Sequence, residues 1–153
     1  MRILVVCTGN TCRSPLAEAL LRSALQPRGV TVVSAGTGAW EGAPASEGAY
    51  LVGLENGLDL SGHRAQMLTR ELVASADLIL TMSRQHAARV ADLGGAGRVH
   101  LLGEFAGRGS AEAEVTDPFG GELDEYREAY AELAELAAGV AARLTAERTG
   151  DQR

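Results

Sequence analysis

Four consecutive apolar residues, Ile3-Leu4-Val5-Val6, run directly into Cys7-Thr8-Gly9-Asn10-Thr11-Cys12-Arg13-Ser14 and then into Pro15-Leu16-Ala17-Glu18. An unbroken apolar run is the pattern of a strand covered on both faces, so the chain must build a layer on each side of it. The Gly-containing segment that follows is a loop. Ser14 then predicts a helix cap and Pro15 the first helical position, where a missing N–H has no partner to lose. Leu16, Leu20 and Ala24 recur four apart and carry that helix to about Arg28, with Gly29 ending it. Strand, tight loop and helix in that order open a βαβ unit, and such units imply a parallel sheet with right-handed crossovers.

The rest of the chain repeats the alternation. Val30 to Ala35 reads as a second strand, and residues 36–48 as a surface loop carrying Pro44 and the only tryptophan, Trp40. A weak helical pattern runs from Ala49 through Leu54 and stops near Gly57. Glu71 to Ser75 reads as a short helix feeding a buried strand, Asp77 to Leu80. Ser83 predicts a helix cap, with Ala87 and Val90 on one face and Gly94-Gly95 at the end. Val99 to Leu102 is a fourth strand and residues 103–121 a long loop. Leu123, Tyr126, Tyr130, Leu133, Ala137, Val140 and Leu144 then keep the spacing of a long amphipathic helix. With 153 residues, 46% of them hydrophobic, and neither repeat nor linker, the chain predicts one α/β domain over residues 1–150, with residues 151–153 fraying. Parallel sheets bind ligands beyond the carboxyl ends of their strands, and the Cys7 loop lies at such an end.

Composition narrows the chemistry. A net charge of −6 without any Lys/Arg run excludes nonspecific binding to nucleic acid, so any anion site must be local. The apolar start is too short for a signal peptide, and no stretch approaches the ~18 apolar residues that span a bilayer. A cytoplasmic protein without a membrane partner is the expectation. Beyond Cys7 and Cys12, the metal-ligand types His63, His86 and His100 have no paired spacing, so neither metal nor cofactor is expected. The loop has no G-K-[ST] ending and no G-x-G-x-x-G, which excludes a nucleotide P-loop and a dinucleotide fingerprint. Cys7 and Cys12 could close a small disulfide but cannot staple distant parts of the fold, so their purpose is chemical.

A loop of this kind entering a helix presents the backbone N–H groups of Thr8, Gly9, Asn10, Thr11, Cys12 and Arg13 to an anion, and the helix N-terminus adds roughly half a positive charge. Arg13 adds a planar fork that suits two phosphoryl oxygens. Cys7, at the base of that cradle, lies in a field that favours thiolate over thiol and becomes a nucleophile beneath a bound phosphate. Ser14 can donate to the leaving thiolate when a phosphocysteine breaks down. The remaining requirement is an acid on a loop over the pocket, and Asp117 in Thr116-Asp117-Pro118-Phe119-Gly120-Gly121 is the candidate. Read alone, Cys7 is a packed strand-end thiol and Asp117-Pro118 a turn; together they make a nucleophile and its acid.

These residues resemble the low-molecular-weight protein tyrosine phosphatase family over nearly the whole chain, with the C-x₅-R-S loop near the N-terminus and the Asp-Pro acid before the final helix. The resemblance implies a single three-layer α/β domain with a four-stranded parallel twisted sheet flanked by helices. It also implies metal-free catalysis by Cys7, Arg13 and Asp117 on phosphorylated proteins, and a monomer. Asn10 and Ser14 match positions that shape the loop, Ser34 matches a serine bonded towards that asparagine, and His63 matches a supporting histidine. Trp40 matches an aromatic wall, where simple packing or a partner contact is the alternative. Cys12 matches a thiol that pairs with an oxidised nucleophile; a structural thiol facing the core is the alternative.

Two positions resemble the protein-arginine-phosphatase branch instead of the tyrosine-specific members. Thr11 stands where the latter carry an aliphatic residue, and Phe119-Gly120 where they carry an aromatic pair. A hydroxyl at Thr11 can hydrogen-bond near the bridging atom or the attacking water, and Asp117 can pair with a guanidinium and protonate its departing nitrogen. Thr11 as a tolerated loop residue is the plain alternative. Phosphotyrosine is the alternative substrate. An arsenate reductase would need further redox cysteines after Cys12, and an inactive phosphoprotein-binding module would lack one of Cys7, Arg13 and Asp117.

Overall fold

The computed structural model describes residues 1–151, with side chains through Glu147. The elements are β1 (Arg2–Cys7), α1 (Arg13–Leu25), β2 (Thr31–Gly36), α2 (Glu47–Glu55), α3 (Arg70–Ser75), β3 (Leu78–Thr81), α4 (Arg84–Val90), β4 (Val99–Leu101), α5 (Leu102–Phe105) and α6 (Leu123–Asp151). The four strands form one parallel sheet in the order β2-β1-β3-β4. β1 is central, and its neighbours lie on opposite sides, so the connections diverge there and leave a crevice beyond its carboxyl end. The expected tail at residues 151–153 lies, apart from the backbone of Asp151, outside the described residues.

The apolar run that opens the chain serves two cores by its alternation. Ile3, Val5 and Cys7 face the layer that contains Leu16 and Leu21 of α1 and Leu133 and Val140 of α6. Leu4 and Val6 face Val73 of α3 and Val90 of α4. Successive strand side chains point to opposite faces, so Cys7 is committed to the α1 and α6 side, where α1 begins. Burying both faces of β1 leaves no freedom of register, and the loop after it inherits that rigidity.

Several expectations are corrected. α1 starts at Arg13, with Cys12 at the cap position and no side-chain cap bond. Ser14 therefore sits inside the helix, its hydroxyl engaged by Cys7 and Asn10 instead of by a helix amide. The same helix stops at Leu25 and continues as a 3₁₀ turn over Gln26–Arg28, because Pro27 has no N–H for another α-helical bond. The fourth strand ends at Leu101, and Leu102, expected within it, opens α5; the expected long loop also holds a 3₁₀ turn at Ser110–Glu112, and both helical pieces are too short to show a period in the sequence. On α4 the buried positions are His86 and Val90, with Ala87 only half-buried.

Gly36, opposite Cys7 in the β1–β2 register, is where the sheet meets the loop. A Cβ there would collide with the carbonyl oxygen of Thr8 and lie 2.9 Å from the amide nitrogen of Asn10. Both neighbours are backbone and cannot turn aside. Gly36→Ala should cost about 1–3 kcal/mol in urea unfolding, whereas Gly62→Ala, which meets nothing within 4 Å, should be near neutral. Equal effects of the two would show that the loop does not rest on Gly36.

Candidate active site

Asn10 is the only described residue other than glycine with a positive φ, 56°. Asparagine enters this region more readily than most side chains because its amide can bond locally. Here the turn directs the Asn10 N–H at Cys7 Sγ, 3.2 Å away. The fully buried side chain is consumed completely. Nδ2 donates to Ser14 Oγ at 2.8 Å and to Ser34 Oγ at 2.9 Å, and Oδ1 accepts from the Gln66 N–H at 2.9 Å. The Asn10 carbonyl lies 2.6 Å from His63 Nε2. Ser34 and His63 thus stand behind the loop, joined to it through Asn10.

The directions of these bonds follow from the group at their far end. An ionised carboxylate only accepts. Ser34 Oγ therefore donates to Glu18 Oε1, at 2.7 Å, and receives from Asn10. The other hydrogen of the Asn10 amide goes to Ser14, so the Ser14 hydroxyl has its own proton left for Cys7 Sγ at 2.9 Å. The buried sulfur is placed as an acceptor from two donors, Asn10 N–H and Ser14 O–H.

The other wall comes from the segment before α6. Val115 N–H donates to Met82 O at the end of β3, which brings this segment beside the Cys7 loop. Arg13 is buried, with Nη1 donating to Val115 O at 2.9 Å and Nη2 3.4 Å from Asp117 Oδ2. Asp117 is held by a turn: Phe119 N–H donates to its Oδ1 at 3.1 Å, Gly121 N–H donates to Pro118 O, and Gly120 has φ 78°. The result is a cavity of about 160 Å³ lined by Cys7, Thr8, Gly9, Thr11, Cys12, Arg13, Asp117 and Phe119. The Cys7 thiol, the Arg13 guanidinium and the Asp117 carboxyl therefore share one small space. Trp40, 86% exposed, does not line it. A larger cleft of about 460 Å³ between Met1, Leu25 and Leu144 lies at the opposite end of the sheet and is lined by neither cysteine nor histidine.

Both cysteines are free. Cys12 Sγ donates to Ser46 Oγ at 3.2 Å and lies 3.5 Å from the Tyr126 hydroxyl, whose pKa is raised chiefly by burial. Ser46 caps α2, so this thiol ties the loop to α2 and α6. Among the described residues no three His, Cys, Asp or Glu side chains converge as metal ligands. No described helix is long and apolar enough to cross a membrane.

Glu18, Gln66, Ser46 and His86 went unrecognised in the sequence as neighbours of the loop. Three of them are ordinary surface types whose partners are distant in sequence. His86 did carry a signal, since it lies four residues before Val90 and therefore on its buried helix face. Its Nε2 lies 2.8 Å from Thr8 Oγ1 and its Nδ1 3.0 Å from Ser83 Oγ. Burial and then the Arg13 charge push its pKa down to about 4, against Asp117 and Glu114.

Because a hydrogen bond to a charged group contributes about 1.5–3 kcal/mol, Ser14→Ala should lower kcat on an aryl phosphate by about 10–100-fold. Glu18→Gln should cost less, since its amide no longer forces Ser34 to donate outward. In the Ser14→Ala background it should cost nothing further, because the chain no longer reaches sulfur. Independent, additive losses would contradict the directed chain.

The sequence profile of the low molecular weight phosphotyrosine protein phosphatases matches residues 2–150. A probable low molecular weight protein-tyrosine-phosphatase, EpsP, from Ralstonia nicotianae is 45% identical over 129 residues, covering 83% of this chain and 84% of its own. The protein-arginine-phosphatase of Bacillus subtilis is 41% identical over 152 residues, covering 97% of this chain and 99% of its own. Among solved structures, a YwlE arginine phosphatase in its Cys-to-Ser mutant form, with phosphorylated active site serine, superposes with a TM-score of 0.88 at 39% identity, covering 97% of this chain and 99% of that one. The chain belongs to the low molecular weight phosphotyrosine protein phosphatase family.

Proposed function

We propose that this chain hydrolyses phosphoarginine residues in proteins through a phosphocysteine intermediate. The observation that carries the reading is the composition of the cavity wall: Thr11 supplies a hydroxyl, and Phe119 is the one aromatic side chain in the lining, followed by Gly120 and Gly121. Such a pocket suits a flat polar guanidinium better than a phenol ring enclosed between aromatics. The B. subtilis relative named for this activity matches almost end to end.

In the first step Cys7 Sγ attacks phosphorus, an S–P bond forms and the P–N bond breaks. Asp117 gives its proton to the departing guanidinium nitrogen, which keeps the bonding pair. Loop amides and Arg13 hold the phosphoryl oxygens as charge redistributes among them. In the second step the Asp117 carboxylate takes a proton from water, the water oxygen attacks phosphorus and the S–P bond breaks. Sulfur leaves as thiolate, receiving hydrogen bonds from Ser14 and Asn10, and orthophosphate departs. A cytosolic, monomeric enzyme is part of this proposal, and the free Cys7 and Cys12 are compatible with a reducing compartment. Under oxidation Cys12 is the proposed disulfide partner of Cys7. Activity lost to mild peroxide should then return with dithiol, and permanent loss with both thiols still titratable would contradict that pairing.

Phosphotyrosine is the second reading, favoured by the 45% identity to a relative named as a probable tyrosine phosphatase. Comparing kcat/KM on phosphoarginine and phosphotyrosine peptides decides between them. The parent should prefer phosphoarginine, and Thr11→Ile should reduce that preference by roughly 2–10-fold, the worth of one neutral hydrogen bond, or invert it. Cys7→Ser should abolish both activities. A phosphotyrosine preference indifferent to Thr11→Ile would establish the second reading.

A further inference from the structure

We propose that His86 is a positioning residue for the oxyanion cradle: its buried imidazole grips the Thr8 hydroxyl and so keeps the residue after the nucleophile aimed into the cavity. The inference rests on the reading of the Cys7 loop as that cradle and adds to it a residue from the far side of the sheet.

The two ends of the loop are held very differently. Asn10 is buried and fixed by Ser14, Ser34, Gln66 and His63. Thr8 is exposed, so burial does not hold it. Its carbonyl accepts from the Gly38 N–H at 2.9 Å, and its Oγ1 meets His86 Nε2 at 2.8 Å. Hydrogen-bond donors stabilise a developing charge only when they are aimed in advance. The anchor on Thr8 therefore governs how well the first amide of the cradle performs.

His86 is built to act as such an anchor. It lies in the first turn of α4, where Ser83 Oγ accepts from its backbone N–H at 3.4 Å and also contacts Nδ1 at 3.0 Å. Both ring nitrogens are thus engaged, and the ring cannot turn without losing a bond. A neutral imidazole has one N–H and one lone pair, and hydroxyls at both ends can reverse, so the chain Ser83–His86–Thr8 closes in either tautomer. Burial and Arg13 keep the ring in this neutral form at physiological pH. The end of β3 then orients both halves of the site. Met82 O holds Val115, which in turn holds Arg13, while the adjacent Ser83 holds His86, which in turn holds Thr8.

The test is a double-mutant cycle on Thr8→Val and His86→Leu, with His86→Gln as the rescue variant, whose side-chain amide can still reach Thr8. The readouts are competitive inhibition by orthophosphate, and KM and kcat on p-nitrophenyl phosphate, with thermal melts to check folding. Each single substitution should weaken orthophosphate inhibition by about 2–10-fold, the worth of one hydrogen bond, with KM rising more than kcat falls. The double variant should be no worse than the poorer single, and His86→Gln should recover most of the loss. Additive effects, or orthophosphate inhibition in Thr8→Val equal to the parent's, overturn the proposal. Thr8→Val leaves α4 intact, so it decides the matter even if His86→Leu does not fold. A parent that is neither active on p-nitrophenyl phosphate nor inhibited by orthophosphate overturns the cradle reading itself. An active, phosphate-sensitive parent with indifferent variants overturns only the role of His86.

Discussion

The buried amide of Asn10 is the interaction on which the site depends. Its backbone occupies a conformation costly for most residues, and its side chain spends every donor and acceptor holding that conformation. A buried amide left partly unpaired would cost more than it contributes, so the network works only when complete. Ser14, Ser34, Gln66 and Glu18 are best understood as parts of one device. The carboxylate at one end fixes the direction of the hydrogen bonds, and the sulfur at the other end receives the last of them.

The fold supplies what such a network requires, which is immobility. β1 is buried on both faces and paired on both edges, so Cys7 projects from the most constrained strand of the sheet. β2 brings Ser34 and Gly36 alongside the loop, and β3 brings Met82 and Ser83. The loop is consequently held from both neighbouring strands, and the acid-bearing turn joins through Val115. Only Asp117 and Phe119 belong to an exposed turn, which suits groups that must admit substrate and release product.

Much of this was legible in the sequence because the informative residues are contiguous. One stretch of chain holds the strand, Cys7, Arg13 and the helix start, and the alternation of apolar runs with helical spacing specified the parallel sheet. What escaped had physical reasons. Ser14 has the composition of a cap but serves the sulfur, and a sequence does not display which acceptor a hydroxyl chooses. α5, Leu102–Phe105, is shorter than two helical turns and leaves no period. Glu18 and Gln66 are surface types joined to the site by partners distant in sequence, Ser34 for Glu18 and Asn10, Ser34 and Gly36 for Gln66. His86 has no paired spacing that would make it a metal ligand, and its signal lies instead in its distance from Val90, which puts it on a buried helix face.

The central claim is that Cys7 takes the phosphoryl group while the loop holds it. Acid quenching during pre-steady-state turnover of a phosphoarginine peptide, followed by peptide mass mapping, tests this directly. A transient phosphoryl group on Cys7, appearing and decaying at the rate of turnover, is the expected result. Turnover without a phosphorylated chain, or with the group on His86, His63 or Asp117, would contradict it.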